Sequence, residues 1–265
     1  MPLSGGMRKV LMRKVLGETW FAGVDGCRAG WVVAFVRPQS GEVRLRVVPC
    51  FAEVITAPET PAIIAVDIPI GLPEQAGRGG RTADNAVRSL LGARRSSVFS
   101  VPSRRAVFAE VGPFDGQQSR WAAHQRACAV ARETSVPPRS ITIFAFAIFS
   151  KIREVDEVLQ SDRALHGRVR ETHPELAFWR LNGARPLASA KKTEAGLALR
   201  RRLLIEAGLA PAIVNGAPPK GAGRDDLLDA LACAAIAASI DRGLARPIPD
   251  PPERDACGLP MAIWA

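Results

Sequence analysis

Histidine and cysteine are scarce in this chain, and neither is arranged for soft-metal chemistry. Its 265 residues hold three histidines and five cysteines. Cys27, Cys50, Cys128, Cys233 and Cys257 are scattered, with no C-x-x-C pair and no histidines clustered beside them. Their odd number and spacing exclude a disulfide framework and a zinc module, and fit a reduced, cytoplasmic compartment. Long apolar runs are also lacking. The first twenty residues carry Arg8, Lys9, Arg13 and Lys14 but not the apolar run of about 7–15 residues that a signal peptide needs. The longest apolar stretch, Ile141 to Ser150, is about half the roughly 20 residues of a membrane helix, and Lys151 and Arg153 follow at once, so no membrane partner is expected. Aromatic residues are thin near the arginines, where Phe99 and Phe108 leave little for stacking of single-stranded bases. There is no internal repeat and no low-complexity linker.

What is present suits one large core. Hydrophobic residues make up 47% of the chain, and the formal charge is +10. A positive surplus favours polyanionic partners such as nucleic acid, because clustered cations displace counterions from phosphates. Arginine outnumbers lysine and alanine is abundant, a bias that coding composition alone can produce, so charge by itself assigns no partner.

Residues 1–18 read as an N-terminal extension. From Thr19, W-F-A-G-V-D reads as a buried strand, Trp31 to Val36 as its hairpin partner, and Val43 to Val48 as a half-exposed third strand. A short helix near Phe51 to Ala57 precedes A-I-I-A-V-D, a continuous apolar run typical of a central parallel strand, which puts Asp67 at a strand's carboxyl end. Pro69, Gly71 and Pro73 then stop regular pairing. Residues 74–140 carry Arg78, Arg81, Arg88, Arg94, Arg95, Arg104 and Arg105 and read as an arginine-rich insertion or lid, with a helix over Thr82 to Leu91. A helix is expected over Ile141 to Leu159 and a short strand over Arg168 to Thr172. Two further helices run from about Lys191 to Ala207, ended by Gly208, and from Asp225 to Ile240, ended by Gly243. They close a domain spanning 19–246, and the proline-rich tail 247–265 is expected to be irregular.

Three strands in a meander, a helix and then a parallel strand is the order in which an RNase H-like domain begins, an α/β fold with a mixed sheet flanked by helices. Carboxylates stand at telling places in it: Asp25 on the first strand, Asp67 and Glu171 at strand ends, and Asp225, Asp226 and Asp229 opening the last helix. Adjacent strand ends can bring such groups to one ion, and hard oxygen ligands suit Mg²⁺ or Mn²⁺. Each residue also has a plainer role available. Asp25 before glycine suits a turn, His173-Pro174 a structural bend, and Asp225 a helix cap. Asp67 is harder to dismiss, since a carboxylate directly after I-I-A-V belongs at the ligand-binding edge of an open sheet. Both Asp225 (i, i+4) and Asp226 (i, i+3) share a helix face with Asp229, which leaves its partner undecided.

The segments G-V-D-G-C-R-A-G-W (23–31), A-V-D-I-P-I-G-L-P (65–73), E-T-H-P-E (171–175), K-K-T-E-A-G-L-A-L-R (191–200) and D-D-L-L-D-A-L-A (225–232) together resemble the family called domain of unknown function 429, predicted RNase H-like nucleases. The last segment also resembles the final helix of RuvC-type resolvases. The resemblance implies metal ligation by Asp25, Asp67, Asp226 and Asp229, with Glu171 as a further catalytic carboxylate. The leading expectation is a metal-dependent nuclease or phosphodiesterase, with Arg94, Arg95, Lys192 and Arg200 holding substrate phosphates. Lys192 and Arg200 would lie about 12 Å apart along one helix. Two alternatives stand beside it. D-G-C-R-A-G-W resembles the first phosphate hairpin of actin-like kinases, whose two-domain architecture a homodimer could supply. A non-catalytic binding protein of the same fold would hold metal without turnover.

Overall fold

In the computed structural model, which describes residues 19–265, the strand Gly30–Arg37 sets the architecture. Trp31, Val33 and Phe35 join one buried cluster, and Val32, Ala34 and Val36 join another. A strand buried on both sides needs cover on both sides, and two helical layers supply it. The expected N-terminal extension, residues 1–18, lies outside the described residues.

In chain order the elements are β1 (Phe21–Cys27), β2 (Gly30–Arg37), β3 (Glu42–Val48), α1 (Phe51–Ile55) and β4 (Ile63–Val66). Helices α2 (Thr82–Leu91), α3 (Arg104–Phe108), α4 (Gly116–Glu133), α5 (Ile143–Ala147) and α6 (Phe149–Ser161) lead to β5 (Val169–Glu171). Then come α7 (Pro174–Leu181), α8 (Glu194–Glu206), α9 (Pro211–Val214), α10 (Arg224–Asp241), β6 (Pro247–Arg254) and β7 (Pro260–Trp264). The five-stranded sheet runs β3-β2-β1-β4-β5, with β1 antiparallel to β2 and parallel to β4, and β4 parallel to β5. This mixed sheet between helices is consistent with an RNase H-like fold.

On the first face, Ala22, Val24, Ile64 and Val66 share a core with Phe149, Ile152, Val155 and Leu159 of α6. Val101, Ala106, Val107, Ala123, Ala127 and Ala131 belong to that same core. The arginine-rich segment is therefore built into the body rather than hung over it as a lid. The single helix expected over Ile141 to Leu159 is two, α5 and α6, parted at Ile148.

The second face is dominated by α10, whose residues Leu227 through Ala234 are all buried. That helix lies against the β1 backbone itself. A Cβ on Gly23 would sit 2.0 Å from the Ala230 carbonyl oxygen and 2.1 Å from the Ala234 nitrogen. Glycine is the one residue that permits this approach.

The proline-rich tail is ordered, against expectation. β6 and β7 pair antiparallel, with the register shifting between Ile248 and Glu253, where Pro249, Pro251 and Pro252 fall. Prolines that lack an N–H are tolerated in a two-stranded ribbon where the ladder is already interrupted. The hairpin is anchored by the buried Asp255 carboxylate, which accepts hydrogen bonds from Leu72 N (3.0 Å) and Arg104 Nη2 (2.7 Å). Among the described residues no helix is long and apolar enough to cross a membrane.

Gly23→Ala should destabilise the protein by about 3 kcal/mol, at the upper end for overpacking, because backbone rather than a flexible side chain must give way. Urea denaturation measures this, and a loss below about 1 kcal/mol would mean that α10 is free to move off the sheet.

Candidate active site at the sheet edge

Strand register brings the first two carboxylates together. β1 and β4 run parallel with Phe21 opposite Ile63 and Gly23 opposite Ala65, so two residues further on Asp25 comes abreast of Asp67. The ladder continues that far, since Asp67 N donates to Val24 O at 2.9 Å. Phe21 and Ala65 belong to the core under α10, and the two-residue period of a strand turns Asp25 and Asp67 to the same side. Asp229 precedes Ala230, the residue seated on Gly23, and so reaches the same edge.

Charge crowding follows. Burial, then the charges of Asp67, Asp229 and Asp226, push the Asp25 carboxyl well above the usual carboxylate range, with Lys191 opposing. Burial lifts Asp67 to about 7 against the pull of Lys191. Asp229 is lifted to about 6 by burial, with Lys191 opposing and Asp67 and Glu175 adding to the rise. Asp229 is buried, whereas Asp25 and Asp67 are partly exposed, so the cluster opens to solvent on one side.

The remaining contacts show how the cluster is held. Gly26 N donates to Asp25 Oδ1 at 2.7 Å, fixing that carboxylate against its own strand. Lys191 Nζ donates to Asp229 Oδ2 at 3.0 Å and lies 3.9 Å from Asp225 Oδ2. Asp226 Oδ2 accepts from Gly223 N at 2.8 Å and closes the first turn of α10. Asp226, the residue expected to ligate metal beside Asp229, thus also reaches back to the backbone of Gly223, the helix cap, a position anticipated for Asp225. Hard, like-charged oxygens open to solvent have the donor chemistry that suits Mg²⁺ or Mn²⁺. As placed they are spread, with Asp229 turned to Lys191, and among the described residues no group of three or more His, Cys, Asp or Glu is drawn together as a metal cage.

Glu171 does not join them. It pairs with Val66 in the β4–β5 register, and Val66 and Val169 face the core on the opposite side from α10. There Arg81 takes both its oxygens, Nη1 to Oε2 at 2.8 Å and Nη2 to Oε1 at 2.6 Å, while Asp84 binds the same guanidinium. Arg81 also donates to the carbonyls of Ile70 (2.8 Å) and Gly71 (3.3 Å), so the network pins the loop that follows Asp67. Glu171 holds the scaffold in place.

Arg200 likewise leaves the substrate-binding set. It is 1% exposed, lies against the Phe178 ring, and donates to Glu175 Oε1 at 2.6 Å and Gly196 O at 3.1 Å. Lys192 is exposed but stands before α8, not on it. The two therefore do not form one phosphate-facing stripe. Arg94 is half-buried, 3.6 Å from Glu175, and Arg95 is exposed. Arg88 and Arg104 are engaged inside the fold, with the Val98 carbonyl and with Asp156 and Asp255 respectively. Lys191 is the site residue that sequence reasoning missed. Its signal was slight, a lysine just ahead of the Thr193 helix cap.

Raised carboxyl pKa values carry a stability cost with a definite sign. As pH climbs above the ordinary value of 3.8, the unfolded chain ionises Asp67 and Asp229 first. Stability is therefore lost as pH rises through about 6 and about 7, the folded values of Asp229 and Asp67. In EDTA at pH 8, Asp67→Asn should melt above the wild type, with the gap narrowing toward pH 4. Thermal melts across that range test it, and a gap independent of pH would show that burial does not hold the Asp67 carboxyl above its ordinary range.

Residues 23–254 match the family described as protein of unknown function (DUF429). No curated protein and no solved structure matches the chain. Since the match covers most of its length, from the residue that receives α10 to the end of β6, the chain belongs to the DUF429 family.

Proposed function

We propose that the protein is a metal-dependent phosphodiesterase acting on nucleic acid, with Asp25, Asp67 and Asp229 as the carboxylates that hold Mg²⁺ or Mn²⁺. The observation that carries this reading is the convergence of these acids, from three separate elements, on one half-open sheet edge, where burial raises all three carboxyls and neighbouring carboxylates add to the rise at Asp25 and Asp229. Gathering like charges out of water is unfavourable unless a cation neutralises them. A bound divalent ion would polarise the phosphoryl group and stabilise the charge that develops on the departing oxygen.

The protein's own groups divide the remaining work. Asp25 has one oxygen engaged by Gly26 N, which fixes its orientation and leaves the second to ligate. Asp67 stands on a backbone tied to β1, and the Arg81 network holds the loop beyond it. Asp226, bonded back to Gly223 N, sits close enough for its charge to be felt at Asp25 and completes the acidic wall. Arg94, Arg95 and Lys192 are the cations left to hold phosphate, and the surplus of +10 favours a polyanion. These cations meet the phosphate in ground and transition states alike. The carboxylate site acts on charge that appears only as the bond breaks.

Labelled single-stranded, duplex and branched DNA and RNA, incubated with Mn²⁺, should reveal cleavage by the wild type. Asp67→Asn should lower turnover about 10²-fold or more while substrate affinity changes little. Equal activity in both preparations would identify a contaminant. Metal binding without cleavage of any substrate would replace the enzyme reading with that of a binding protein.

A further inference from the structure

We propose that Lys191 is a built-in counter-cation of the carboxylate cluster, and that a divalent ion entering the cluster displaces its ammonium group from Asp229. The inference rests on the metal-site reading above and adds to it a competitor supplied by the chain itself. Its ground is geometric. Lys191 Nζ lies 3.0 Å from Asp229 Oδ2 and 3.9 Å from Asp225 Oδ2, and its charge is felt at Asp25 and Asp67 as well. One ammonium thus supplies part of the neutralisation that a divalent ion would supply, and it holds an oxygen of the most buried of the three acids.

The local build suits a cation that comes and goes. The backbone at Lys191 is fixed by a tight turn: Thr193 N and Oγ1 donate to the Ala190 carbonyl at 3.1 and 2.8 Å, and Gly196 N donates to Thr193 Oγ1 at 3.1 Å. A side chain at Gly196 would collide with that carbonyl, so the turn is closely specified. The lysine side chain is 38% exposed, and a four-carbon stem can swing its head group into solvent without moving the turn. A divalent ion ligating Asp229 Oδ2 would face the ammonium across a single oxygen, and the repulsion between the two cations favours release of the lysine. The ammonium keeps its proton throughout, and its new position beside the exposed Lys192 adds a cation at the mouth of the site.

The test is calorimetric titration of Mn²⁺ at pH 8 into the full-length wild type, Lys191→Met, Lys191→Arg and Lys192→Met, with melting temperatures recorded in EDTA and in saturating Mn²⁺. Lys192→Met controls for the same change in net charge one residue away. Lys191→Met should bind Mn²⁺ on the order of tenfold more tightly than the wild type, the lower range for a charge-assisted hydrogen bond to a partly exposed group. Lys192→Met should bind like the wild type, and Lys191→Arg no better than it. Lys191→Met should also melt below the wild type in EDTA, with Mn²⁺ restoring the loss. Equal tightening in both methionine variants would reduce the effect to net charge, and weaker binding in Lys191→Met would make the lysine a support for the metal; either overturns the exchange. Absence of Mn²⁺ binding in every variant, each melting cooperatively, would overturn the metal-site reading and the exchange with it.

Discussion

The closeness of α10 to β1 is the constraint on which the site depends. A helix normally stands off a sheet by the thickness of its side chains, and here Gly23 removes that layer at one point, so Ala230 and Ala234 meet strand backbone. The small residues of the helix, Ala230, Ala232 and Ala234, are the other half of the fit. With the helix held this low, Asp229 is brought to the strand ends where Asp25 and Asp67 emerge. A bulkier residue at position 23 would lift the helix and carry Asp229 away, so packing and the electrostatics of the site share one contact.

The sheet also sorts acids into two kinds by the face they occupy. Asp84 and Glu171, on one side, surround Arg81, whose guanidinium also reaches the carbonyls of Ile70 and Gly71. Burial pushes Glu171 up and Arg81 pulls it back, the signature of a buried charge that is paired and hydrogen-bonded. Asp25, Asp67 and Asp229, on the other side, share the ammonium of Lys191, which opposes but does not cancel the rise of their carboxyls. A fold that can satisfy buried carboxylates this fully on one face leaves those on the other short of positive charge, which is where a cation from outside has something to contribute.

Much of this was legible in the sequence, and the exceptions have physical causes. The strands through Val66 declared themselves by alternation or by continuous apolar runs, and Asp67 by following one of them. Glu171 misled because β5 is three residues long, too short for alternation to tell which face its carboxylate takes. Arg200 looked like one more surface cation on a helix, and only its distant partner Glu175 explains why it is buried. The C-terminal hairpin was hidden by its prolines, which read as breakers until the interrupted ladder that accommodates them is seen. Lys191 carried no periodicity and no cap signal of its own, because its role is set by a carboxylate 38 positions away in the chain.

The parts of the site that are fixed and the part that can move are made differently. Asp67 follows a strand tied to β1, and the loop after it is clamped twice, by Arg81 at Ile70 and Gly71 and by Asp255 at Leu72. The C-terminal hairpin thereby supports the site from a distance, since Asp255 also accepts from Cys257 N and Leu259 N within its own turn and binds Arg104. Lys191, by contrast, has a pinned backbone and a partly exposed, flexible stem. Ligands preorganised on rigid elements bind an ion without first losing conformational entropy, whereas a counter-ion on a flexible stem can leave at little structural cost. The rigidity therefore lies with the carboxylates, and the freedom lies with the group that stands in their way.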